Sequence, residues 1–191
     1  MVTVQSLLNA YTNKKYKLFN YPKVNLFGVR NTQNKDSNNF NDILGVLYQD
    51  TNSTWILKSW AGTTDAGLAY RLSPINNKGT AILVPNQYID GFRFGKHHGK
   101  YNALVQNKPF TLYRDNNKDS KLDYINPQDP EMAGINIHKA GVNSIQVDKW
   151  SAGCQVFAKE KDFNEFMDIL NSANCGNTFT YTLFLDTDLL V

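Results

Sequence analysis

The chain has 191 residues, 41% of them hydrophobic and 19% charged, which is the length of about one domain and the composition of an ordinary globule. With 13% aromatic residues and a formal charge of +3 it is neither a disordered chain nor a polyelectrolyte, and no apolar run approaches the ~18 residues of a membrane-spanning helix. Two cysteines, Cys154 and Cys175, are too few for a disulfide scaffold, and no His/Cys cluster suggests zinc, so no cofactor is expected. The charge tolerates an anionic polymer as partner, while the lack of a basic cluster interleaved with aromatics argues against nucleic acid.

The first residues, MVTVQSLLNAYTNKKYK, are polar where a secretory leader would be apolar, so neither a signal peptide nor membrane insertion is expected. Within them Val4, Leu7, Leu8 and Tyr11 share one helical face, which predicts a helix of about ten residues with Thr3 as N-cap. From Lys23 onward short apolar or alternating runs predict strands: KVNLFGVR, ILGVLYQ, TWILKSW, TAILVP, YNALVQ, PFTLYR, INIHK, CQVFA and FTYTLFL. Residues 31–42, NTQNKDSNNFND, hold one apolar residue, Phe40, and read as a surface loop. In EKDFNEFMDILN the spacing of Phe163, Phe166, Met167 and Leu170 predicts a second helix, packed on the sheet and ended by residues 174–176. The expected fold is mostly β (α+β). The absence of repeats and linkers predicts a single domain over 1–191 that works as a monomer.

The segment GINIHKAGVNSIQVDKWSAGCQVF carries most of the chemistry. His138 closes one β run, and Cys154 follows the small-residue turn Ser151-Ala152-Gly153 at the start of another. A free thiol with a pKa near ~8.5 needs a neighbouring base to act as a nucleophile at neutral pH, and His138 is the candidate. Gly153 allows close approach of backbone to substrate, with nearby amides aimed at an oxyanion. Spacing alone also fits a small buried thiol beside a satisfied histidine. An activated thiol is expected to alkylate fast at mildly acidic pH, and a structural one is not.

His138, separated by fifteen residues from Cys154 in Ser151-Ala152-Gly153-Cys154, resembles the signature of the L,D-transpeptidase (YkuD-like) catalytic domain, in which a His precedes Ser/Thr-His-Gly-Cys. The chain differs at Ala152, where that family has histidine, and at Val156, where it usually has arginine. The wording also resembles small stand-alone proteins of phages and Bacteroidetes that carry this domain. The resemblance implies a β-sandwich or barrel-type sheet with an N-terminal helix and one late helix on it. It also implies Cys154 as nucleophile, His138 as base and then acid, and an oxyanion held by the amides of Gly153 and Cys154. The Lys139 carbonyl would orient the histidine, and Ser151 and Gln155 would lie at the substrate; Trp150 has no counterpart in that family and either walls the substrate groove or, as is commoner for a tryptophan, belongs to the core. The implied reaction is cysteine-dependent hydrolysis of bacterial peptidoglycan peptides through a thioester. The enzyme would be a phage lytic protein, held in the host cytoplasm or virion and acting on the cell envelope. Crosslink formation and a non-catalytic wall-binding or virion role are the alternatives.

His97 and His98, in GFRFGKHHGKY, are read as surface residues of which at most one faces a given site, because neighbours on a strand point oppositely. The alternative is that the pair lines the cleft of Cys154 at the substrate or binds a metal, and that one of them replaces in space the histidine missing at Ala152. Tyr101 and Arg93 are further polar candidates. Asp115, Asn117, Asp119 and Asp123 fall at calcium-loop positions, but Ser120 and Asn126 replace the loop's glycine and final glutamate, so an Asx-rich turn is the competing reading. Residues 60–67 read as a turn or loop after the TWILKSW strand, whose hydroxyls and Asp65 either reach substrate or are simply the residues that any turn there would use.

Overall fold

The computed structural model describes residues 1–34, 37–173 and 175–190. Helix α1, Val4–Asn13, begins at Thr3, whose hydroxyl accepts from the Ser6 amide while the Ser6 hydroxyl accepts from Thr3 N. That reciprocal cap satisfies two otherwise unpaired amides at the helix start.

Eight strands then close into one barrel. They are β1 (Val24–Arg30), β2 (Asp42–Gln49), β3 (Trp55–Thr63), β5 (Gln87–His97), β6 (Tyr101–Gln106), β8 (Ile137–Lys139), β9 (Gln155–Phe157) and β10 (Thr178–Leu185). Their order around the barrel is β1-β10-β5-β6-β8-β9-β3-β2, and β2 returns to β1. The sheet is mixed: β1 with β10 and β8 with β9 are parallel, and the other pairs are antiparallel. Strands β4 (Thr80–Leu83) and β7 (Leu112–Asp115), separated in the chain by β5 and β6, form a second, two-stranded antiparallel sheet. Among the described residues no helix is long and apolar enough to cross a membrane.

Two layers of side chains explain the apolar runs. Leu26, Leu44, Val46, Phe92, Leu104, Ile137, Phe157 and Tyr181 make the main core with Phe163, Phe166, Met167 and Leu170 of α3, Glu160–Ser172. Phe27, Val29, Leu47 and Phe184 point the other way and meet Leu7, Ala10 and Tyr11 of α1. Strand β1 is therefore buried at all seven positions, which is why its sequence lacks polar alternation.

Several expectations change. Strand β5 goes unread in the sequence because Gly91, Gly95 and exposed Arg93 and Lys96 interrupt its pattern. A five-residue helix, α2 (Leu68–Leu72), and a 3-10 turn at Asp186–Leu189 are also additions. Residues 60–63 belong to β3, so the turn begins only at Thr64. Helix α3 ends at Ser172, and Asn174, the first residue of its expected stop, lies outside the described residues. The 31–42 segment, of which Lys35 and Asp36 lie outside the described residues, is anchored to the body of the fold. Asn38 Oδ1 accepts from Leu68 N and Asp148 N, and Ser37 O accepts from buried Arg71.

Asp42, at the end of that segment, is buried in a charged network. Its oxygens accept from Asn31 N (2.8 Å), Thr64 N (2.7 Å) and Thr64 Oγ1 (2.9 Å). Arg30, 1% exposed, donates to Thr64 Oγ1, Thr64 O and Leu83 O and lies 3.0 Å from Asp65 Oδ1. Tyr124 Oη donates to Asp65 Oδ2. Thr63, Thr64 and Asp65 thus face the interior, which corrects the expectation that this turn reaches substrate.

Candidate active site

Parallel pairing of β8 with β9 sets His138 opposite Val156. Cys154 precedes Val156 by two residues, so strand alternation turns its side chain to the His138 face. The turn before it is held from within: Ser151 Oγ accepts from Gly153 N (3.1 Å) and donates to Cys154 O (2.8 Å), while Ser151 O accepts from Gly67 N. Gly153 has φ +122°, and a Cβ there would lie 2.5 Å from Ala81 O, so only glycine fits.

His138 and Cys154 line one cleft of about 460 Å³, together with His97, His98, Tyr101, Gly134, Asn136, Lys139, Trp150 and Ala152. Lys100 and Lys149 also line it, and among the described residues no carboxylate does, so its field favours an anionic ligand. His138 is 2% exposed, and its Nδ1 lies 2.8 Å from Lys139 O. A carbonyl only accepts, so Nδ1 carries the proton and Nε2 keeps its lone pair. Tyr101 Oη donates to the same carbonyl at 3.2 Å. Nε2 is buried and has no hydrogen-bond partner among the described residues. Cys154 Sγ accepts from Asn136 N (3.4 Å) and donates to Gly134 O (3.7 Å).

Burial sets both protonation states. It holds His138 down at about 3, helped by neighbouring His97 and opposed by the Lys139 carbonyl. It pushes the Cys154 thiol up to about 11, with the Asn136 amide pulling the other way. The resting pair is therefore neutral thiol and neutral imidazole across physiological pH, a state in which slow alkylation in mild acid is expected. In the resting protein, alkylation of Cys154 by iodoacetamide, followed by peptide mass spectrometry, should be slow at pH 7 and still rising above pH 9. Fast labelling at pH 6 would contradict this environment.

The other expected residues divide. Trp150 is 45% exposed on the cleft wall and is not core. His97 and His98 both line the cleft, because His98 sits past the end of β5 with φ +48° and escapes strand alternation. The Lys139 carbonyl meets His138 as described, while its ammonium pairs with Glu160. Ser151 is fully buried and spent on the turn. Gln155 points inward to Tyr181 Oη, which donates to its Oε1 at 2.7 Å. Neither of these two touches the cleft. The Gly153 amide donates to Ser151 Oγ instead of pointing at an oxyanion. Arg93 is exposed on β5 and outside the cleft lining.

In the acidic loop Asn117 Nδ2 donates to Asp119 Oδ2 and Asp123 Oδ2, and Asp115 Oδ2 accepts from Asp123 N. Asn117 Oδ1 accepts from Asp119 N and Asp119 Oδ1 from Lys121 N, two successive Asx turns, and among the described residues no His/Cys/Asp/Glu group is disposed to hold a metal. Cys175 is half-buried against the core. Asn136 and Gly134 went unread in the sequence; the only signal was their proximity to His138. Comparison of the chain with family models, with curated proteins and with solved structures gives no match.

Proposed function

We propose that the protein is a YkuD-like, cysteine-dependent hydrolase of peptidoglycan peptides, with Cys154 as nucleophile and His138 as its base. One observation carries the reading: a buried imidazole, oriented through Nδ1 by the next residue's carbonyl and with no partner at Nε2 among the described residues, lines the same cleft as the thiol. As Sγ attacks a peptide carbonyl, its proton leaves Gly134 O for His138 Nε2, so no thiolate accumulates beforehand. The tetrahedral oxyanion falls to the Cys154 amide. His138 then protonates the leaving amine as the C–N bond breaks, which leaves a thioester on Cys154. Water completes hydrolysis; an amine acceptor would instead make a crosslink. The lysine-lined cleft suits the carboxylates of wall stem peptides.

We further propose that the chain serves as a phage lytic enzyme. Purified protein and Cys154→Ala, incubated with sacculi of several chemotypes, should differ in released stem peptides identified by mass spectrometry. Digestion by both would overturn the assignment. New crosslinked fragments would replace hydrolysis with transpeptidation. A non-catalytic wall-binding role is favoured by one observation, the thiol's hydrogen bond to Gly134 O where a preset dyad would bond to His138. It predicts sacculus binding with no product.

A further inference from the structure

Asn136 touches both halves of the candidate site. Its main-chain N–H donates to Cys154 Sγ at 3.4 Å, and its side-chain Nδ2 lies 3.0 Å from His97 Nδ1. The amide nitrogen donates, so His97 Nδ1 is unprotonated and its proton sits on Nε2. The His97 ring in turn lies flat on His138, with centroids 3.8 Å apart and planes 17° from parallel. Thiol, Asn136, His97 and His138 form a chain of contacts around the cleft wall. It joins three elements, β5, β8 and the turn before β9.

Resting on the reading above, we infer that His97 and Asn136 are positioning residues for the Cys154–His138 pair. Asn136 sets the sulfur, and through His97 it fixes the plane of the imidazole. The Lys139 carbonyl pins one edge of the His138 ring, which leaves it free to swing about that bond. The stacked His97 ring blocks the swing and covers one face of His138 from water. Among the described residues no other ring at the cleft does this: His98 meets His97 edge-on at 4.1 Å, and Tyr101 reaches the Nδ1 edge.

The titratable and charged groups facing His138 are His97 and His98 from β5 and its turn, Tyr101 from β6, Lys139 with its partner Glu160 of α3, and Cys154. Lys100 and Lys149 stand elsewhere on the cleft lining. Of these, His97 is the one that stacks on the ring, so its removal both wets His138 and takes away a ring whose own protonation in acid repels charge on His138. Both changes raise the proton affinity of His138.

The test uses His97→Ala and His97→Phe, each with Cys154 intact for kinetics and in the Cys154→Ala background for NMR titration of ¹³C-labelled histidines. His97→Ala should lower kcat on stem peptides about tenfold with little change in KM, because misplacing a base costs rate more than binding. The His138 titration and the acid limb of kcat/KM should move up toward the ordinary value of about 6.5. His97→Phe keeps a flat ring against His138 and should restore most of the rate and the low titration. An unmoved His138 titration in His97→Ala overturns the inference even if walls are digested. A moved titration in a protein that digests no wall keeps the positioning role and removes the enzyme reading.

Discussion

Cys154→Ala should release no stem peptide above background, and His138→Gln should lose about 10²–10⁴ of kcat, the worth of a general base. Neither loss reflects unfolding if melting temperatures stay within a few degrees. Cys154 is half-buried and small, and its loss removes only the contacts to Asn136 N and Gly134 O. His138→Gln is the sterner case, since the side chain is buried against His97 and Lys139 O. A folded His138→Gln that keeps full rate would remove His138 from the chemistry. The double variant should be no slower than Cys154→Ala alone, because residues acting as a unit do not add. Parallel steady-state kinetics on one stem peptide, with circular dichroism as the control for folding, reads all three.

The largest effect on stability is expected far from the cleft, at Arg30. Its guanidinium satisfies the Leu83 and Thr64 carbonyls and is the cation beside Asp65 inside the fold. The Asp65 contact at 3.0 Å lacks hydrogen-bond alignment at Oδ1, so the pairing there is Coulombic. Arg30→Met removes the charge, strands a buried carboxylate and two carbonyls, and should cost about 3–5 kcal/mol. For a domain of this size that is a drop in melting temperature on the order of 10 °C.

The deficit should also depend on pH. Burial, followed by repulsion from Asp65, pushes Asp42 up to about 7, so the folded state holds a proton that the unfolded chain releases from about 3.8. A raised folded value means that this group's stabilisation is complete below about pH 4 and is lost as pH rises through 7. Protonated Asp42 lightens the load of uncompensated charge, so the Arg30→Met deficit should be smaller at pH 5 than at pH 8. Urea unfolding at both pH values checks this. A deficit under about 1 kcal/mol, equal at both, would show that the network carries no net charge strain.

Most of the fold was legible because its strands are apolar runs long enough to be buried on one or both faces. TFTYTLFL and VNLFGVR carry their burial in composition. Strand β5 was not legible, since its two glycines and outward charges imitate a turn. Closure of eight strands into a barrel depends on which edges meet, and nothing local records that β1 joins both β2 and β10. The burial of Arg30, Asp42, Asp65 and Arg71 is not legible in the sequence, because hydropathy treats every charge as solvated; it follows from partners far along the chain.

At the candidate site His138 and Cys154 were visible because they flank two short runs in one segment. The Lys139 carbonyl was implied only by the family resemblance. His97 lies forty-one residues before His138, and only the β5-β6-β8 order brings the rings together. Ser151 and Gln155 were misplaced for one reason: adjacency to Cys154 says nothing about direction. Ser151 turns back on its own loop and Gln155 alternates into the barrel.

The most direct measurement is intact-mass spectrometry of the protein quenched in acid seconds after mixing with a stem peptide. The account predicts an adduct on Cys154 equal to the donor minus its leaving amine, removed by hydroxylamine as a thioester is, and missing from Cys154→Ala. Turnover of the peptide with Cys154 unmodified at every quench time, and undiminished in Cys154→Ala, would contradict it.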